Sequence, residues 1–354
     1  ASLIVERLEK LHPGWISELD SKLVRYAALL HDIGHPPYSH MLEDRTIFMT
    51  FHGHESWGWK IIDDPNNDLR KALIQNIGES GISRLKDIYA GRVHPIALHE
   101  IVSSQLDVDR LDYLLRDQYH SGADVGTYDV QRIFRSLRLD ENGSLRLHPN
   151  GVPAVESYLL TRLHMYKLVY FHKLNILTSE YHRKALRRAR ELASSDRLEI
   201  SDAIRGMLLS SDLDVPGYLS IDDSVVSSAI SSWRNSKDHE LRFWVDRILS
   251  RDSFHKRIRI PGLTPEHVER CMIAISAEIS SAGYDPVRDL ILARVDNVGY
   301  RPYQSGIRLV DGKDIADISS VAAAITETVH DTMVFVPSSV RNACEEVVKS
   351  TLNL

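Results

Sequence analysis

Residues 28–40 read ALLHDIGHPPYSH, an apolar run that ends in three histidines and an aspartate around a Gly-Pro-Pro turn. Upstream, Leu23, Ala27 and Leu30 recur at helical spacing, which predicts a core helix over 21–34. His31 and Asp32 close that helix, and Gly34 with Pro36 and Pro37 turns the chain away. An imidazole nitrogen and a carboxylate oxygen both suit a divalent transition metal. A capped helix end would also account for His31 and Asp32 taken alone, since imidazole favours a helix C-terminus. His35 and His40 go beyond what capping needs, so the stretch reads as half of a site.

The second half lies in HEIVSSQLDVDRLDYLLRDQYHSG, residues 99–122. On one helix Asp109, Tyr113, Arg116 and Asp117 share a face, while Leu111, Leu114 and Leu115 can pack inward. A solvated charged stripe would look similar; Tyr113 and the following YHSG suit a pocket wall. Between the halves, FHGHESWGWKII (51–62) opens a helix with His54 and Glu55. That pair suits general acid–base work, although a helix N-terminus favours a glutamate on its own account.

Helical spacing recurs over 1–12, 21–34, about 53–62, 68–78, 95–120 and 152–193. FRSLRLDENGSLRLHP (134–149) predicts a β-hairpin turning at Glu141-Asn142-Gly143-Ser144. Residues 195–260 read as short helices with Ser/Asp-rich connections. Beyond about 261, DLILARV and GIRLVDGKDIADI read as strands with a turn at Asp311-Gly312. SSVAAAITETV then reads as a helix, DTMVFVP as a strand, and SSVRNACEEVVKSTL as a Ser-capped closing helix. The expected fold is mainly α, a helical core with a β-hairpin insertion and a small C-terminal α/β lobe. The expected divisions are 1–195, 196–260 and 261–354.

With 354 residues, 43% of them hydrophobic, the chain can bury a sizeable core. A net charge of −6 gives no global basic surface for nucleic acid. The run HRKALRRARE (182–191) could bind a single strand, or be a solvated helix face. Two distant cysteines, Cys271 and Cys344, exclude a disulfide scaffold and a thiolate zinc site. No apolar run is long enough to span a membrane, and a cytoplasmic location is expected. The first residues, ASLIVERLEKLH, are already in helical rhythm with no cap before them, so further residues upstream are expected.

HDIGHPPYSH, a downstream HE, LDVDRLDYLLRDQYHSG, and VESYLLTRLHMYKLVYFHK (155–173) together resemble the HD-superfamily deoxynucleoside triphosphate triphosphohydrolases and their bacterial relatives. The resemblance covers roughly residues 1–195 and implies an HD-domain core. It makes His31, Asp32 and Asp109 ligands of a divalent metal, with Mn, Fe, Mg, Ni and Zn all admissible. It places His35, His40 and His54 along the triphosphate, with Glu55 orienting His54. It gives Arg110, Tyr113, Asp117, Arg162, Tyr170 and His172 to phosphates or deoxyribose. It also requires a metal-binding histidine one helix earlier. Counting back runs past Ala1; His12, the sole upstream histidine, sits too close to His31 in the LHPGW break, so that ligand is expected upstream. The implied chemistry is attack of metal-activated water on the α-phosphorus, with His40 or His54 protonating the leaving 5′-oxygen. A homo-oligomer and a nucleotide effector are implied as well. Another phosphohydrolase on the same scaffold, such as a nucleotidase or single-strand nuclease, and a silent nucleotide-binding regulator are the alternatives.

Overall fold

The computed structural model describes residues 1–49, 52–250, 254–258, 265–303 and 306–353. They form two compact units: 1–35 with 52–170 and 297–329, and 36–51 with 171–296 and 330–354.

The first unit is helical. It comprises α1 (Ser2–Leu11), α2 (Glu18–Leu30), α3 (His54–Asp63), α4 (Asp68–Tyr89), α5 (Ala97–Glu100), α6 (Val108–Ser121), α7 (Val130–Ser136) and α8 (Val152–Met165). Strands β1 (Leu137–Leu139) and β2 (Leu145–Leu147) form the expected hairpin, with Leu137 opposite Leu147 and Leu139 opposite Leu145. The Asp140 carboxylate accepts the amides of Asn142 and Ser144, both at 2.9 Å, and so shapes its turn. Ile4, Val5, Leu8, Leu23, Val24, Ala27, Leu85, Leu114 and Tyr158 are among the side chains that fill the core.

Helix boundaries differ from the sequence expectation where backbone groups find other partners. α2 stops at Leu30, because Ile33 and His35 donate to the carbonyls of Leu30 and Asp32 in a turn. α4 runs on to Tyr89 through a kink at Gly78, whose φ of 67° suits glycine. The stretch 95–120 is two helices, because Asp107 caps α6 by accepting the Arg110 amide at 2.9 Å. α8 ends in a π turn over Tyr166–Tyr170.

The expected strands in 306–318 are not formed. Asp314, 1% exposed, takes the Tyr300 hydroxyl and the amides of Tyr303 and Ala316 at 2.7–3.0 Å. These side-chain bonds replace a ladder, leaving single bridges Leu147–Leu309 and Arg308–Asp314 around the Asp311-Gly312 turn. The helix expected over 319–329 shrinks to Ser320–Ala324, since its β-branched end joins a strand.

The second unit begins its helices with α9 (Lys173–Ser194). The short helices Asp202–Leu209, Val215–Leu219 and Asp223–Ser232 are capped by Ser201, Asp214 and Asp222, and Asp238 accepts the Leu241 amide near the start of His239–Ser250. The Ser/Asp-rich connections therefore serve as N-caps. A three-stranded sheet has the order β3 (His255–Ile258), β5 (Thr328–Pro337), β4 (Ile291–Val298), with β3 antiparallel to β5. β3 falls where only helices were expected. Helices Pro265–Ser281 and Arg341–Leu352 bury Cys271 and Cys344 against the sheet's apolar residues. The closing helix lacks the expected Ser cap: Ser338–Val340 make a 3-10 turn and Val340 occupies the cap position. The arginines of 182–191 are largely engaged, Arg183 and Arg187 with Asp44 and Arg188 with Asp238. No described helix is long and apolar enough to cross a membrane.

His255 is 3% exposed; its Nδ1 accepts the Tyr181 hydroxyl at 2.8 Å and its Nε2 donates to the Asp289 carbonyl at 3.2 Å. Burial pushes its pKa down to about 4, with Arg247 and Lys184 adding to the effect against Asp289. Between about pH 6.5 and 4 the unfolded chain takes up a proton that the folded chain refuses. Stability is therefore full above that window and falls by about 3 kcal/mol as pH drops through it. Urea unfolding across pH 4–7 is expected to show this slope, reduced in His255→Gln.

Candidate active site

The first unit assembles the site at the junction of α2, α3 and α6. His31 caps α2, and its Nδ1 donates to the Ala28 carbonyl at 3.0 Å. That bond commits Nδ1 and leaves Nε2 facing two carboxylates, as the nitrogen that would hold a proton or a metal. Nε2 lies 3.3 Å from Asp32 Oδ1 and 3.3 Å from Asp109 Oδ1. It is buried and neither contact has hydrogen-bond geometry. The donor atoms of His31, Asp32 and Asp109 all lie within 4.8 Å of one another.

One imidazole nitrogen and two carboxylate oxygens suit a divalent first-row metal, and the sealed, unbonded Nε2 is the atom such an ion would satisfy. Asp109's carboxylate, with Asp32 behind it, draws a proton to His31 and raises its pKa to about 9. His35, with Nε2 3.4 Å from Asp32 Oδ1, leads in holding the Asp32 carboxyl below its ordinary value. A divalent cation would take the proton's place on His31.

His35 stacks on His54, ring centroids 4.1 Å apart and planes at 16°. The stack exists because Gly34 has no side chain: a Cβ there would meet His54 O at 2.1 Å and Gly58 N at 2.2 Å. Beside His31 opens a cavity of about 390 Å³, lined among others by His54, Glu55, Trp59, Lys86 and Tyr89.

A second cluster stands on α6 and the π turn. Tyr170 donates to Asp117 Oδ2 at 2.7 Å, and its ring lies 6.1 Å from Tyr113 and 5.1 Å from Tyr166. Arg162 sits 5.8 Å over the Tyr166 ring, its NH1 buried without a partner. Burial, reinforced by neighbouring hydroxyls and by Asp117 at Tyr170, pushes the phenols of Tyr113 and Tyr170 far above their ordinary value. Arg110 is tied to buried Asp107 and donates to the Ser104 carbonyl at 2.6 Å, while its Nε is buried and unpartnered. Arg116 departs from its helix-face companions and pairs with Asp112.

The structure thus brings His31, Asp32, His35, His54 and Asp109 together, and Tyr113, Asp117, Arg162 and Tyr170 into a second group. His40 and His172 belong to the other unit: His40 Nδ1 lies 3.0 Å from Glu43 Oε2, and His172 caps α9 by accepting the Leu174 amide at 3.3 Å. His12 accepts the Leu139 amide at 3.1 Å and is committed to the hairpin. Sequence reasoning passed over Asp107 and Tyr166. Asp107-x-x-Arg110 carries a helix N-cap signal, and Tyr166 falls midway between Arg162 and Tyr170 at helical spacing.

Residues 1–117 match the HD domain family, and residues 128–207 match the HD-associated region. The chain carries an HD domain followed by an HD-associated region. It is 26% identical over 304 residues to the uncharacterised protein YwfO of Bacillus subtilis, covering 86% of this chain and 67% of that one. It is 30% identical over 189 residues to the deoxynucleoside triphosphate triphosphohydrolase SAMHD1 homologue of Dictyostelium discoideum, covering 49% of this chain and 35% of that one. The chain thus spans between about a third and two-thirds of the length of these two relatives. The crystal structure of the phosphohydrolase BT4208 from Bacteroides thetaiotaomicron superposes with a TM-score of 0.76 at 24% identity, over 95% of this chain and 84% of that one. The two chains share a fold.

Gly34→Ala is expected to cost about 3 kcal/mol in urea unfolding, because backbone must move to admit the methyl group. Asp109→Ala should keep its fold and lose Mn²⁺ affinity by about 100-fold, read from the spin resonance of free Mn²⁺.

Proposed function

We propose that this chain is a metal-dependent hydrolase of deoxynucleoside triphosphates, releasing deoxynucleoside and inorganic triphosphate by attack of water on the α-phosphorus. The observation that carries the reading is the convergence of His31, Asp32 and Asp109 around a buried, unbonded imidazole nitrogen. A divalent cation held by these three would supply a water of lowered pKa and polarise a phosphoryl oxygen.

The chain's own side chains do the rest. Arg162 and Arg110 each keep a buried guanidinium nitrogen unpartnered, ready for phosphate oxygens that match the planar donor fork. Asp117 accepts the Tyr170 hydroxyl through Oδ2, leaving Oδ1 to accept a sugar hydroxyl, and the Tyr113 and Tyr170 rings wall the sugar. His35 lies between Asp32 and His54, where its ring can meet phosphate oxygens. The resemblance assigns proton donation to His40 or His54. His54 stands in the unit that carries the metal-binding trio, with Glu55 beside it to orient it. The resemblance also brings His172, a nucleotide effector and a homo-oligomer into the proposal. The identity shared with a protein named as a deoxynucleoside triphosphate triphosphohydrolase supports the substrate. The engaged arginines of 182–191 speak against a nuclease.

Incubation with Mn²⁺ and each deoxynucleoside triphosphate should yield triphosphate and deoxynucleoside on anion exchange, and Asp109→Ala should abolish both. Asp117→Ala should lower kcat/KM about 10- to 100-fold through loss of a charge-assisted hydrogen bond. Absence of product from every deoxynucleotide, and from their mixtures, would overturn the proposal.

A further inference from the structure

The loop ahead of α6 is fastened from outside by one side chain. Gln105 is 9% exposed, and both ends of its carboxamide go to a single residue 196 positions along the chain. Its Nε2 donates to the Arg301 carbonyl, and its Oε1 accepts the Arg301 amide at 2.9 Å. A carboxamide thus makes with one residue the two bonds that a neighbouring strand would make, which fixes direction as well as distance. The Gln105 carbonyl in turn accepts the hydroxyl of Tyr158, fully buried on α8, at 2.8 Å.

Arg301 is a firm peg. Its neighbour Tyr300 is fully buried, donates its amide to the Ile325 carbonyl at 2.9 Å and its hydroxyl to Asp314 at 2.7 Å. The knot around Asp314, which stands where strands were expected, therefore holds a peptide unit in place for Gln105. On the other side of Gln105, the Ser104 carbonyl accepts Arg110 NH1 at 2.6 Å. Asp107 accepts the Ser104 and Arg110 amides at 3.2 and 2.9 Å and pairs with the Arg110 guanidinium. These bonds tie Arg110 to its own loop, but they are internal and would travel with it. Leu106 is buried in the core, and apolar burial is non-directional. The bonds from Gln105 to Arg301 and Tyr158 supply the direction.

We propose that Gln105 is a positioning residue. By clasping the Arg301 peptide it sets the Arg110 guanidinium, whose Nε is buried and unpartnered, at the angle that phosphate oxygens require. The inference rests on the reading of Arg110 as a phosphate ligand. A planar donor fork matches phosphate only in the right orientation, and a misplacement of about 1 Å can cost about 100-fold.

The test is a double-mutant cycle, read by isothermal titration of the whole chain with inorganic triphosphate in EDTA, where neither metal nor catalysis contributes. Gln105→Met keeps the side chain's length and removes both bonds to Arg301. Arg301 is exposed, so water takes up its freed groups and the variant should fold, which its Tm checks. Wild-type protein is expected to bind, and Gln105→Met to bind about tenfold more weakly. Gln105→Leu should behave alike, which tells the lost bonds from a defect peculiar to one replacement. In an Arg110→Gln background the same change should cost about twofold at most, because no guanidinium is left to set. A purely structural role would give equal losses in both backgrounds; that additivity, or unchanged binding in Gln105→Met, would overturn the inference. No binding of triphosphate by wild-type protein would overturn it too, together with Arg110's place in the proposed site. Binding with the expected coupling, but no triphosphate released from any deoxynucleotide, would uphold the positioning role and overturn the proposed hydrolysis.

Discussion

The site depends on one close approach of backbone to backbone. Where α2 ends, Gly34 presents no side chain, and the first turn of α3 comes against it at distances that no Cβ would permit. Everything nearby follows from that contact. His35 can lie flat on His54 only because their backbones are this close, and His31 and Asp32 are held at a helix end that cannot swing outward. A site built on packed helix ends is more rigid than one built on loops, and a trio that could hold a metal needs that rigidity.

The trio is also a place where folding and function pull in opposite directions. Two carboxylates facing one imidazole repel each other, and the imidazole answers by binding a proton more tightly than usual. A cation relieves the same repulsion better than a proton does, because it carries more charge and takes bonds from all three groups. The stability of this corner and the pull it would exert on a metal are therefore two readings of one electrostatic imbalance. The Ala28 carbonyl settles which nitrogen of His31 takes part in it.

Much of this was legible in the sequence, for identifiable reasons. The HD stretch announced itself because histidines at a Gly-Pro-Pro turn have few structural uses, and α6 because its polar residues keep one helical face. The hairpin was legible from its alternation and its Asn-Gly turn. What escaped was decided by partners distant in sequence or by side chains that displaced a ladder. Asp314 converts an apparent strand pair into a knot of side-chain bonds, and no periodicity reports that. β3 is too short, and too rich in charge, to stand out before its partner β5 is in view. Arg110 reads as a free phosphate ligand until Asp107 is seen holding one edge of its guanidinium. Arginine partnerships depend on the whole fold, so the composition of 182–191 could not show that its charges were already engaged.

The π turn over Tyr166–Tyr170 carries a consequence for how such a site can diverge. A π turn is an α-helix with one residue to spare. Losing that residue would restore regular winding and rotate everything beyond it by about 100°. Arg162, before the turn, would keep its place, whereas Tyr170 would swing away from Asp117. Arg162 and the Tyr170–Asp117 pair are thus joined by a single removable residue. A lineage could keep the first and rebuild the second by one deletion, without touching the corner where His31, Asp32 and Asp109 meet.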